Sequence, residues 1–226
     1  KTHYLVTPER CKMWAEHNRA YDLLTAENCA DLIEGIKAQG KQEFPAIVRK
    51  VDGDPDYDYE VICGARRHFA ISWLRENNYT EFKYLIEPRD LSDEEAFRLA
   101  DLENREREDI SDFERACDYA RAVKLYYDGK QSAMAKRLQV SEGWLSRYLF
   151  LAKLPMEIIT AYPSPNDIKE IHARNLKAFL AQPKAREEMI DRAMWLRDMR
   201  AVGATTDGEP WNDPIKVLAE LKRAGQ

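Results

Sequence analysis

An α+β fold, a small mixed-sheet domain followed by an all-helical one, is what this sequence predicts, and three observations predict it. Short Val- and Ile-rich runs punctuated by Gly, Pro and Asp alternate with helical patterns over the first ninety residues. After Pro88 the strand signals stop, and helical spacing continues to about Arg200. Within that helical stretch, residues 131–151 carry the spacing of a helix-turn-helix.

The elements follow in order. His3–Val6 reads as a short strand. Ala26–Ala38 sets Leu32, Ile33 and Ile36 at helical spacing behind a Thr25 cap, and Gly40 suits a left-handed helix end. Pro45–Val51 and Tyr57–Cys63 are strands joined by the turn Asp52–Asp56, a hairpin. A helix from Arg66 to Glu76 and a strand from Glu81 to Glu87 complete a domain over residues 1–90. Ser92-x-x-Glu95 is a capping box that opens the helical domain, residues 91–202. Its breaks fall at Asp109–Ser111, Gly129, Val140–Ser141, Pro155, Pro163–Pro165 and Pro183. Gly203–Pro214 reads as a linker, and Ile215–Lys222 as a last helix.

Composition bounds the function. Of 226 residues, 44% are hydrophobic, enough for packed cores, and no apolar run is long enough to span a bilayer. Lys1 in place of Met suggests a piece of a longer protein, and the four cysteines, with no C-x-x-C pair, read as cytosolic thiols rather than a zinc site. A net charge of −5 argues against coating nucleic acid by bulk electrostatics. The charge is uneven, however: Lys130 to Lys153 holds five cations against one acid, Glu142.

In that basic stretch Ala135 is small where two helices would touch, and Leu138, Val140, Leu145, Tyr148 and Leu149 supply apolar faces. Ser141 stands at the N-cap of the second helix. Gln139 occupies a turn position where glycine is common. The candidate DNA contacts are Gln131, Ser132, Ser141, Trp144, Ser146 and Arg147. Arg147 can reach guanine edges or phosphate, whereas Trp144 serves equally as a core anchor.

Two further motifs point to phosphate. Gly64-Ala65-Arg66-Arg67 lies where a strand meets a helix, and the amide hydrogens of a helix N-terminus joined by two arginines make a polyphosphate site. Glu103-Asn104 places two hard oxygen ligands together, suited to Mg²⁺ on phosphates, and the acid could position a water for attack. Each has a plainer reading, a surface charge pair for the first and a solvated face with Glu103–Arg107 pairing for the second.

In this order the motifs resemble the ParB family of partition proteins, which includes KorB-like and Noc-like regulators. Leu32–Arg49 looks like the family's first box, and Gly64–Arg67 like its G-E-R-R motif. Glu103–Ile110 looks like its E-N-x-Q-R-E-D-L segment, and Leu151–Pro155 like the end of its helix-turn-helix. Ile168 and His172-Ala173-Arg174 resemble the helical region downstream. The resemblance covers roughly residues 17 to 180. It implies CTP and Mg²⁺ as cofactors, slow hydrolysis to CDP and phosphate, and a homodimer that closes as a sliding clamp. It also implies a palindromic, centromere-like double-stranded DNA site, a ParA-type ATPase partner and a cytoplasmic location. Carried over by position, Gly64, Ala65, Arg66 and Arg67 would hold the triphosphate, with Arg19 a further candidate. Glu103 and Asn104 would sit at the metal, with Glu103 the catalytic candidate. Ala65 stands in place of the family's Glu, and Glu106 in place of its Gln. A nucleotide-independent repressor and a small-molecule kinase are the competing readings.

Overall fold

The structure, a computed structural model, describes residues 1–16, 21–105, 107–206 and 209–226. It packs as two units, Lys1–Glu106 and Arg107–Gln226.

The first unit runs β1 (Tyr4–Val6), a 3-10 turn at Pro8–Arg10, β2 (Cys11–Met13), α1 (Ala30–Gln39), β3 (Ala46–Lys50), β4 (Tyr59–Cys63), α2 (Ala65–Glu76), β5 (Tyr84–Pro88) and α3 (Asp93–Asn104). The strands form one sheet in the order β1-β5-β3-β4-β2. The β1–β5 and β3–β4 pairs are antiparallel, whereas β3–β5 and β2–β4 are parallel, so the sheet is mixed as expected. The β3–β4 hairpin sets Val48 opposite Val61, with a register shift between Ile47 and Val48. Val48, Val61, Tyr84 and Ile86 are buried against Ile33 and Ile36 of α1 and Ala70, Ile71 and Leu74 of α2. Helix α3, opened by the Ser92–Glu95 capping box, packs on β4. It belongs with the sheet, although residue 90 looks like a boundary in the sequence.

The strand expected over Glu81–Glu87 is β5, which starts only at Tyr84, and two further details differ. Thr25 and Asn28 do bond reciprocally, Asn28 N–H to Thr25 Oγ1 at 3.2 Å and Thr25 N–H to Asn28 Oδ1 at 2.9 Å. They close a turn of their own, so α1 starts only at Ala30; it ends at Gly40 with φ of 74°. Strand β2 was not foreseen, because three residues are too short to show alternation; its pairing with β4 defines it.

The second unit contains α4 (Asp112–Tyr126), α5 (Gln131–Leu138), α6 (Glu142–Ala152), α7 (Met156–Ala161), α8 (Glu170–Leu180), α9 (Pro183–Ala201), the two-residue strands β6 (Thr205–Thr206) and β7 (Glu209–Pro210), and α10 (Pro214–Ala224). A second capping box, Ser111 with Glu114, opens α4. Pro183 sits in the first turn of α9, where its missing N–H costs nothing, so it starts a helix. Leu151, Ile158, Ile168, Leu176, Met189, Leu196 and Val217 form the core. The stretch expected to be a linker pairs β6 with β7 and buries Trp211 edge-on to Trp195, because an aromatic in a loop can join a core that composition alone does not reveal. Among the described residues no helix is long and apolar enough to cross a membrane.

Candidate functional site

In the first unit the candidate site forms where β4 ends. Gly64 turns the chain from strand to helix with φ of +118°, and its carbonyl accepts the Tyr84 hydroxyl at 3.0 Å and the His68 amide at 3.0 Å. A Cβ at this position would lie 2.6 Å from the Ala46 Cβ, so glycine is required for space as well as for φ. No side chain caps α2, and its first turn holds Ala65, Arg66 and Arg67 with no acid. An uncapped N-terminus keeps amide hydrogens and partial positive charge directed outward.

The two arginines differ in their holding. Arg66 is exposed and donates from Nη2 to the Asn28 carbonyl at 2.9 Å. Arg67 reaches the loop that leads into β3. Its Nη1 donates to the carbonyls of Phe44 (3.1 Å) and Pro45 (2.8 Å), and its Nη2 to Glu103 Oε1 at 3.2 Å. The buried Gln42 amide holds the same loop, donating to the Phe44 carbonyl at 2.7 Å and the Leu85 carbonyl at 2.9 Å. Arg67 and Glu103, from motifs 36 residues apart, therefore meet. Asn104, the last residue of α3, follows Glu103 and is half-buried. Arg19 lies outside the described residues.

Cys63 and His68 frame this corner, and the sequence reading gave neither a role. The buried Cys63 thiol shares a hydrogen bond with Glu103; burial, then that carboxylate's charge, push its pKa up. The His68 Nε2 lies 2.8 Å from the Pro8 carbonyl, which can only accept, so Nε2 carries the proton. Its Nδ1 then accepts the Tyr21 hydroxyl at 2.7 Å, and burial depresses the pKa of this neutral ring.

Among the described residues no group of three or more His, Cys, Asp or Glu side chains gathers into a ready-made metal site. The chemistry of Glu103 and Asn104 suits a magnesium ion that takes one or two protein oxygens and fills its shell with phosphate and water.

In the second unit, α5 and α6 form the helix-turn-helix. Gln139 takes the left-handed turn position itself, at φ 57° and ψ 44°. Met134, Ala135, Leu138, Leu145 and Leu149 are buried between the helices and their support. The Ser141 hydroxyl caps α6 by accepting the Trp144 amide at 3.1 Å. The Trp144 ring lies 4.7 Å from that of Tyr148 and 5.7 Å from that of Tyr119, so its geometry is that of an anchor. Gln131 and Ser146 are half-buried, and Ser132, Lys130, Lys136, Arg137, Ser141, Glu142, Gly143 and Lys153 are exposed. Arg147 is not solitary, for its Nε lies 3.0 Å from Glu170 Oε2 at the start of α8.

The fold and these two surfaces define a two-part protein, a mixed-sheet unit with an arginine-bearing corner and a helical unit with a helix-turn-helix. The family model described as a centromere-binding protein HTH domain matches residues 110–181. A nucleoid occlusion protein of Geobacillus thermodenitrificans is 34% identical over 171 residues, 74% of this chain and 57% of that protein. The SopB protein of Escherichia coli O157:H7 is 28% identical over 88% of this chain and 57% of its own length. The chain thus spans less than two thirds of these relatives.

Among solved structures, the C-terminally truncated ParB of Caulobacter crescentus complexed to the centromeric parS site superposes with a TM-score of 0.55 at 20% identity, covering 88% of this chain and 97% of that one. A Pnob8-like ParB-N domain superposes at 0.59 and 15% identity, covering 98% and 94%. These two likenesses are likenesses of fold. The family-model match and these relatives support the resemblance to the ParB family read from the sequence.

Proposed function

We propose that this chain loads onto a centromere-like palindromic DNA site through its helix-turn-helix and binds CTP with Mg²⁺ in the Lys1–Glu106 unit. In this reading two copies close as a sliding clamp for DNA segregation in the cytoplasm, served by a ParA-type ATPase. The observation that carries the nucleotide half is the meeting of Arg67 and Glu103 beside the uncapped start of α2. Arg66 and Arg67 grip phosphate oxygens, and the first amide hydrogens of α2 complete the cradle. Glu103 and Asn104 would hold a bound Mg²⁺, which would neutralise phosphate charge. Glu103 also orients an attacking water and accepts its proton, which makes the chain a slow CTPase. The CTP choice comes from the family resemblance, and the phosphate cradle from the geometry.

The test is retention of radiolabelled ATP, GTP, CTP and UTP, each with Mg²⁺, by the wild type and by Arg67→Lys. Lysine keeps the charge but loses the two-pronged donor geometry. CTP retained by the wild type alone, with unfolding temperatures matched within a few degrees, is the expected result. Equal retention of all four nucleotides, or of none, refutes the nucleotide half and leaves a nucleotide-independent repressor.

A further inference from the structure

The Arg147–Glu170 pair joins the reading helix to the helix that supports it, and further charged residues surround it. Asp112 and Arg115 come from the start of α4, Arg147 and Tyr148 from α6, and Glu170 from the start of α8. All four charges bear on the half-buried Tyr148 hydroxyl, whose ionisation is opposed first by burial, then by Asp112 and Glu170. The Glu170 main chain is fixed, since its amide donates to Asp112 Oδ2 at 2.8 Å. Arg147 Nε and Glu170 Oε2 are out of water and 3.0 Å apart without the alignment of a hydrogen bond, so their attraction is chiefly electrostatic. Such a pair holds a side chain in place and still lets it exchange partners.

We infer that Glu170 is a positioning residue that determines DNA specificity, by keeping Arg147 aimed at base edges rather than at phosphate. The inference rests on the proposal that α6 reads DNA. An arginine with no acidic neighbour is drawn to the nearest phosphate, which carries no sequence information. An arginine already neutralised by a fixed carboxylate gains little from phosphate. It gains more from a guanine edge, where two parallel donors fit O6 and N7 while the carboxylate braces the remaining face. Trp144 is occupied with Tyr119 and Tyr148, and Arg147 is the basic side chain of α6, the one able to grip a guanine edge.

The experiment is selection from a randomised DNA duplex library with the wild type, Glu170→Gln, Glu170→Asp, Arg147→Ala and the Arg147→Ala/Glu170→Gln double variant. The wild type is expected to enrich a palindrome. Glu170→Gln should flatten the preference at one position per half-site by about ten-fold. Affinity for unrelated DNA should rise, and its salt slope should steepen by about one as Arg147 turns to phosphate. Glu170→Asp should restore part of the preference, and the double variant should match Arg147→Ala. A merely structural Glu170 would lower affinity evenly at every position. An unchanged or evenly weakened profile in Glu170→Gln, or a double variant worse than Arg147→Ala by the full Glu170 effect, overturns the inference. If Glu170→Gln does not fold, the Asp variant and the Arg147→Ala profile decide it: Arg147→Ala without a position-specific loss overturns it too. A wild type that enriches no sequence would sink the DNA-reading proposal, and this inference with it.

Discussion

Replacing Gly64 by alanine tests the corner on which the proposed nucleotide site is built. The new Cβ would stand 2.6 Å from Ala46 Cβ, 3.1 Å from Ala46 Cα and 3.3 Å from the Tyr84 hydroxyl. Ala46 and Tyr84 are wholly buried in β3 and β5, so neither can swing aside. Overpacking of this kind costs about 1–3 kcal/mol. Holding a non-glycine residue at φ near +118° adds about 1–2 kcal/mol. The stiffer unfolded chain returns about 0.4–1 kcal/mol. The balance is about 1–5 kcal/mol, a fall of roughly 5–25 °C in Tm for a unit of this size. Gly53→Ala is the control, because its φ is +75° with nothing within 4 Å, so it carries the backbone strain alone. Urea melts followed by hydrogen exchange of β3 and β4 peptides would read the first unit separately from the second. The reasoning is refuted if Gly64→Ala is no less stable than Gly53→Ala.

Three further outcomes follow from the same geometry. Ser141→Ala removes the hydroxyl that accepts the Trp144 amide, so the chain should lose about 1 kcal/mol in denaturant unfolding, with weaker DNA binding. His68 is neutral in the folded chain with a depressed pKa, whereas the unfolded imidazole takes a proton below about pH 6.5. The unfolded state therefore binds more protons there, and stability should fall as pH drops from about 6.5 toward the folded value. The gap in urea midpoint between wild type and His68→Gln should narrow between pH 7.5 and 5.5; a constant gap would contradict this. Finally, Lys136→Ala with Arg137→Ala, both exposed on α5, should reduce the salt dependence of DNA binding by about two in log–log slope without changing site preference. A changed preference would show that these residues read bases.

Much of this was legible in the sequence because the signals are local. Ser92 with Glu95 announced α3, Gly40 the end of α1, and the Val/Ile runs of β3 and β4 their hairpin. The helix-turn-helix was legible because its tiny core restricts spacing, down to the Ser141 cap. What stayed hidden depends on partners far along the chain. The sequence offered Arg67 and Glu103 as separate motifs, and only the packing of α3 on β4 brings them within 3.2 Å. Glu170, 23 positions from Arg147, carried no signal at all, since an acid at a helix start is ordinary. Trp144 was undecidable locally, for a half-buried aromatic near a helix start suits a core and a groove alike. Trp211 was masked by its Gly-, Pro- and Asp-rich neighbours, which describe a loop and say nothing of where its one aromatic goes.

In the proposed clamp, nucleotide handling in the first unit is coupled to DNA reading in the second. The most direct test of this coupling is CTP turnover by the wild type with Mg²⁺, measured alone, with DNA from its own replicon carrying the selected palindrome, and with the same DNA scrambled. Slow turnover of CTP is expected, rising only with the palindrome and disappearing in Glu103→Gln. Turnover that is absent throughout, or that rises equally with scrambled DNA, contradicts it.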